Sequence, residues 1–255
     1  MSRTTATSSL RPAIRPHTNS LAYTASTATT LGTGTTLDST GAWAVEWWMD
    51  ISRGKSLTAA NGIWVFETDQ ATPFVFFYLG FGTGRGFEWG SSANFDRFFC
   101  NISTDPNLWT KFNTGWHHWV LTFDGVDRTL DTSYKLYIDG VSRGVTNGSG
   151  LGSSTDQNAI GAAVSGGVAG TFDMSTLRVW NGGTAMTAAQ VADLYSSNIL
   201  PSGPTLTRNY LHGDGSGTTL TDSTGNQNGT IGTAAWSATN LPTKTRTAAT
   251  ARTAV

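Results

Sequence analysis

The sequence predicts an all-β fold, a sandwich of two antiparallel sheets with one short helix and extended terminal arms. Three observations point there. Only 13% of the 255 residues are charged, about half of the roughly 25% found in average soluble domains. Thr, Ser, Ala and 30 Gly fill the gap, a composition of turns and strands rather than helices. Short apolar stretches with period-two alternation recur between Gly, Asn and Asp clusters. The densest apolar stretch, residues 74–81, has strand length and falls well short of the ~18 residues of a membrane span. One cysteine, Cys100, excludes an internal disulfide framework and a cysteine-based zinc site.

Taken in order, residues 1–20 read as an extended basic arm, because Pro12 and Pro16 disfavour helix before them. The opening MSRTTATSSLRPAIRPH has no apolar block behind its arginines and does not read as a secretory leader. Residues 21–240 are expected to form the sandwich. In AVEWWMDI at 44–51, Val45, Trp47, Met49 and Ile51 share one face, and Glu46, Trp48 and Asp50 the other. Residues 63–67 and 74–81 follow, the second apolar on both faces and so central in its sheet. Strands at 116–123 and 134–138 flank DGVDRTLDTS, a hairpin loop, and the Asp139-Gly140 turn leads into 141–145. Residues 177–180 form another short strand. Thr187 and Gln190 make a capping box, with Met186 and Val191 as its hydrophobic staple. With Leu194 and Tyr195 completing the stripe, a helix over about 187–196 must lean on a sheet to be stable. Pro201 and Pro204 mark a linker, and residues 209–236 return to turn-rich strands. About 28 residues cannot build a core alone, so these are expected to complete the sandwich.

Charge is segregated. Residues 1–20 carry Arg3, Arg11 and Arg15, and residues 241–255 carry Lys244, Arg246 and Arg252, with no acid in either. The body holds ten basic and seventeen acidic residues, a net of −7 between tails of +3 each. Frayed ends are the default reading of termini. The sharper reading makes them attachment arms for acidic neighbours, with Leu10 and Ile14 as apolar anchors beside Arg3, Arg11 and Arg15. Six dilute charges with no aromatic residue among them make a poor nucleic-acid footprint.

The motifs GWHHWVLTFDG at 115–125, KLYIDGV at 135–141, LRVWN at 177–181 and MTAAQVADLY at 186–195 resemble, in order and spacing, the laminin-G-like domains of the concanavalin A-like lectin and glucanase superfamily. The segment GDGSGTTLTDSTGNQNGTI at 213–231 resembles a glycine-rich opening segment of that family, displaced here to the C-terminal end. The resemblance covers roughly residues 20–236 and implies a two-sheet jelly roll.

It also implies three functional classes. Glucanases of this fold carry E-x-D-x-(x)-E on one strand face. Here Glu46 and Asp50 have Trp48 between them, and strand positions i and i+4 lie ~13 Å apart, beyond either hydrolytic spacing. A glycoside hydrolase is disfavoured, and the chain is expected to be non-enzymatic. Laminin-G-like domains often bind calcium, for which Asp124, Asp127 and Asp131, or Asp214 and Asp222, are the candidate ligands. Such residues more often serve Asx-turn geometry, so no cofactor is required. His117 and His118 are adjacent on a strand, point to opposite faces and cannot chelate one metal. Alternation places Trp48, Tyr137 and Trp180 outward with Arg178, a candidate glycan or partner face unless the helix, the arms or a partner covers it.

The expectation is therefore a non-enzymatic surface component of a virus or phage particle, of decoration or fibre type, attached through its arms. Its partners would be capsid or homo-oligomer chains, with weak cell-surface glycan binding possible in principle. A secreted carbohydrate-binding module is the alternative.

Overall fold

The computed structural model describes residues 19–24, 29–31, 37, 41–52, 63–67, 75–79, 87–91, 96–100, 114–127, 129–148, 159–160 and 171–238. Arg3, Leu10, Arg11, Ile14, Arg15 and residues 239–255 lie outside them.

Alternating sequence becomes strand at 43–50, 63–67, 75–79, 116–123 and 134–138, where the expectation placed it, while residues 87–91, 96–100 and 159–160 form strands that it did not mark. β1 (Ser20–Tyr23), β2 (Thr29–Thr30), β3 (Trp43–Asp50), β4 (Ile63–Glu67), β5 (Val75–Leu79), β6 (Phe87–Ser91), β7 (Asp96–Cys100), β8 (Trp116–Phe123), β9 (Tyr134–Ile138) and β10 (Val141–Arg143) come first. They are followed by β11 (Thr146–Gly148), β12 (Ala159–Ile160), β13 (Phe172–Gly183), the helix α1 (Ala188–Ser197), β14 (Pro204–Tyr210), β15 (Thr219–Leu220), β16 (Gly229–Ile231) and β17 (Ala235–Ser237). One sheet has the order β10-β9-β8-β3-β13-β1-β17, with β14 also on β13. The other runs β11-β7-β6-β5-β4-β12-β2-β16-β15. Among the described residues every strand pairing is antiparallel.

The core lies between the sheets. Val45, Trp47, Met49, Trp119, Leu121 and Leu136 of the first sheet meet Leu31, Cys100, Ile160, Leu220 and Ile231 from the second sheet and its flanks. Trp47 and Trp119 are direct cross-strand partners, stacked at 6.2 Å with an interplanar angle of 6°. Their contact adds to the burial of two of the largest side chains in the protein. The Phe123-Asp124-Gly125 turn needs its glycine, since φ is +82° and a Cβ there would stand 2.6 Å from the Ala42 nitrogen.

β13 runs twelve residues where the sequence predicts four. Its first half pairs with β1 and its second with β14, so two short neighbours share one long edge. β14 begins at Pro204, within the segment read as a linker. β14 and β17 join the first sheet, while β15 and β16 join the second. Tyr210 links the layers, its buried hydroxyl donating to the carbonyls of Gln227 (2.9 Å) and Leu31 (3.3 Å).

One boundary is corrected. The arm was expected to reach residue 20, but Ser20 is a buried member of β1 and Leu21 is fully buried in the core. Three-residue registers with both β13 and β17 capture this segment.

Candidate functional site

The side chains that alternate away from the core converge on the outer face of the first sheet. Arg178 and Glu46 are direct partners across β13 and β3. Trp48 and His118 are direct partners across β3 and β8. Arg178 Nη1 donates to Glu46 Oε2 at 2.9 Å and to Oε1 at 3.2 Å. His118 Nε2 lies 2.9 Å from Glu46 Oε1. The guanidinium also donates from Nε to Asn209 Oδ1 (2.9 Å) and from Nη1 to Asn198 Oδ1 (2.8 Å). Burial by itself raises the Glu46 pKa, but the Arg178 charge and the His118 contact outweigh it and hold the carboxyl at about 2. Glu46 is thus a buried, paired anion.

α1 seals this cluster. Thr187 caps the helix, with Gln190 N donating to Thr187 Oγ1 and Thr187 N donating to Gln190 Oε1, as the capping box predicts. Val191, Leu194 and Met186 pack on Ala44, Val120, Tyr137 and Trp180. Tyr195 stacks over Trp48 at 6.0 Å and over His118 at 5.7 Å. Asn198, left-handed at φ 53°, ends the helix and turns its side chain to Arg178.

The expected glycan or partner face is corrected accordingly. Trp48, Tyr137, Trp180 and Arg178 do point away from the inter-sheet core, but they are 7%, 2%, 1% and 2% exposed. Alternation assigned their side of the sheet; the helix covers that side. Glu46 is likewise fully buried and ion-paired, while Asp50 accepts from Ser52 N within its own turn. The two carboxyls have no shared access to a glycosidic bond.

The other candidates take structural places. His117 Nδ1 lies 2.9 Å from Asp139 Oδ2 and its Nε2 3.0 Å from Thr114 Oγ1. Asp139 Oδ1 accepts from His118 N, so this carboxylate pins the turn after β9 to β8. Asp124 accepts from Val126 N, and Asp127 from Thr129 N and Oγ1. Asp214 accepts from Thr221 N and Oγ1. Asp222 accepts from Asn209 N, Thr224 N and Gln227 N. Burial raises the Asp222 pKa, but these donors outweigh it and shift the carboxyl down. Among the described residues no group of three or more His, Cys, Asp and Glu side chains could hold a metal ion, and no helix is long and apolar enough to cross a membrane.

The sequence reading did not connect Glu46, His118 and Arg178. Their signal was charge at outward alternating positions beside large aromatics in a weakly charged chain. Asn198 and Asn209 carried no comparable signal.

Comparison with known proteins matches this architecture. A structure of a candidate carbohydrate-binding protein from Bacteroides ovatus superposes with a TM-score of 0.55 at 14% identity. The match covers 87% of this chain and 60% of that one, so the chain spans well under the whole of that protein. The heptameric SAP-like pentraxin of Limulus polyphemus matches at 13% identity with a TM-score of 0.43, covering 72% of this chain and 84% of that one. No curated protein sequence matches. The laminin-G model described as concanavalin A-like lectin/glucanases superfamily matches residues 23–192, from the end of β1 through the first half of α1, and the chain belongs to that superfamily.

Proposed function

We propose that this protein is a non-enzymatic structural module, a decoration or fibre-type component of a virus or phage particle, attached through its terminal arms. The observation that carries the reading is the register of β1 on β17, in which Ser20 faces Ser237. The segments before residue 19 and after residue 238 therefore enter the fold at one corner. Arg3, Arg11 and Arg15 are tethered there with Lys244, Arg246 and Arg252, against a body of net charge −7. Two basic segments rooted at the same corner suit an acidic surface on a neighbouring chain, either a capsid protein or another copy of this one. The sealing of Glu46 under α1 supports the non-enzymatic part.

Removing residues 1–18 and 239–255, separately and together, tests the reading. These cuts spare β1 and β17, so thermal unfolding should change little while oligomerisation or particle incorporation is lost. Sedimentation velocity at low and high salt measures the first, and co-sedimentation with particles from the native source the second. Normal assembly of the doubly truncated chain overturns the arms. Turnover of a β-glucan that disappears on Glu46→Gln overturns the non-enzymatic reading. Superfamily membership favours a second reading, a carbohydrate-binding module, whose site would lie off the face that α1 covers. Glycan-array binding that survives removal of both terminal segments would favour it.

A further inference from the structure

His212 belongs to none of the contacts above. It lies two residues after β14, in the loop of residues 211–218 that leads to β15. Its φ is 54°, a left-handed backbone at a non-glycine residue. The side chain is fully buried, and neither Nδ1 nor Nε2 has a hydrogen-bond partner. Backbone groups of Tyr210 and Ser175 approach the ring without reaching hydrogen-bond geometry. The Ser175 hydroxyl is itself buried and without a partner. Buried polar atoms are almost always satisfied, so an unpaired ring calls for an explanation.

The surrounding loop grips both terminal strands. Asn19, immediately before β1, donates from Nδ2 to Gly213 O at 3.4 Å. Gly215 packs so closely on Asn19 that a Cβ would stand 2.7 Å from its side-chain nitrogen. From β17, Trp236 Nε1 donates to Gly217 O at 2.9 Å, and its ring stands edge-on to the imidazole at 6.4 Å. β17 is the last strand of its sheet, and β1 connects it to β13 through two short registers. Loop 211–218 is therefore a clasp over the sheet edge where both terminal segments enter, and His212 is its buried pin.

We propose that His212 is an acid-sensitive latch for this edge. Protonation of the imidazole expels the ring to solvent, carries loop 211–218 away from Asn19 and Trp236, and loosens β1 and β17 while the remainder of the sandwich stays folded.

Geometry sets the direction. Protonation adds a second N–H donor to the ring, so that both nitrogens donate, and at the closed position neither finds a partner in hydrogen-bond geometry. Burial lowers the pKa to about 4, outweighing the upward pull of the Tyr210 backbone, of Asp214 and of the Ser175 backbone. Asp214, on the same loop, is the charged group acting on the ring. The ring's neighbours from β13 and β17, Ser175 and Trp236, and the loop's contact Asn19 before β1 are uncharged at all relevant pH. In the open loop the ring regains its ordinary value of 6.5. The open form binds more protons than the closed one only between these two values. Opening is thus independent of pH above about 6.5. It rises by up to about tenfold per pH unit down to about 4, below which both forms are protonated. Glu46, held at about 2, titrates below that window.

Hydrogen exchange on the full chain, corrected for intrinsic rates, tests the proposal. Between pH 6.5 and 4.5, the open population reported by β1 and β17 amides should rise up to about a hundredfold, with β3 and β8 unchanged. His212→Gln should flatten that dependence. Equal protection at both values, loss shared by the whole sandwich, or the same pH dependence in His212→Gln overturns the latch. If the variant does not fold, an NMR titration of the His212 ring in the wild-type chain decides. A value near 4 supports the proposal, and one near 6.5 overturns it.

Discussion

On one side of the eight-stranded sheet, Val45, Trp47, Trp119 and Leu136 meet a second sheet. On the other, one residue along each strand, Ala44, Glu46, His118, Tyr137 and Arg178 meet a ten-residue helix and one another. Both sides are buried, yet their chemistry differs. A facing sheet presents a broad surface, so the inner side can be apolar throughout. A short helix offers one stripe, here Val191 and Leu194 with Met186 at its entry. What lies beside the stripe is dried without apolar partners, and it is tolerable only if its charges satisfy each other. Arg178 does this by joining Glu46, Asn198 and Asn209, tying sheet, helix end and β14 together.

The largest expected effect comes from breaking that substitute for apolar packing. Arg178→Met leaves the Glu46 carboxylate buried without its cation and should cost about 3–5 kcal/mol in urea unfolding. Adding Glu46→Gln should recover part of the loss, because a neutral amide is less costly to bury; no recovery would mean that Arg178 acts mainly by packing. The same pair governs acid stability. The carboxyl falls from its ordinary 4.5 to about 2 on folding, so its contribution is complete above pH 4.5 and is lost as pH falls through 2. Acid unfolding of Glu46→Gln should lack that component.

Equivalent leucines on the two sides sharpen the contrast. Leu136→Ala, between two sheets that cannot close the gap, should cost about 2–5 kcal/mol. Leu194→Ala should fall at the low end of that range, since a single helix can settle into the space. Equal losses on chemical denaturation would mean that α1 is held as rigidly as the second sheet. Smallest is Thr187→Ala, which removes the N-cap and should cost about 1 kcal/mol, read as a lowered melting temperature.

Much of this was legible in the sequence. The inward set of β3, the register-forming lengths of β8 and β9, and the cap and staple of α1 all follow from local rules acting on neighbours in sequence. β6 and β7 were harder, because FEWGS and DRFFC are brief and set among glycine and polar residues. β13 outran its expectation because FDMS joins the strand through pairing with β1, a contact across some 150 residues of chain that no local pattern encodes. The site was half legible. Outward positions were identified, but exposure was inferred from direction alone, and Trp48, Tyr137, Trp180 and Arg178 proved to be covered.

By itself, then, the sequence determined that the chain is a sandwich, which side of each main strand is apolar, where the helix begins, and how charge divides between body and ends. Those properties depend on period, composition and caps, all short-range. Only the tertiary structure decided what covers each side, that Glu46 belongs to Arg178 and His118, that His212 is enclosed, and that residues 19 and 238 come out at one corner. Each of these is a meeting of residues far apart in the chain, fixed by which surfaces remain to be buried once the local elements have formed.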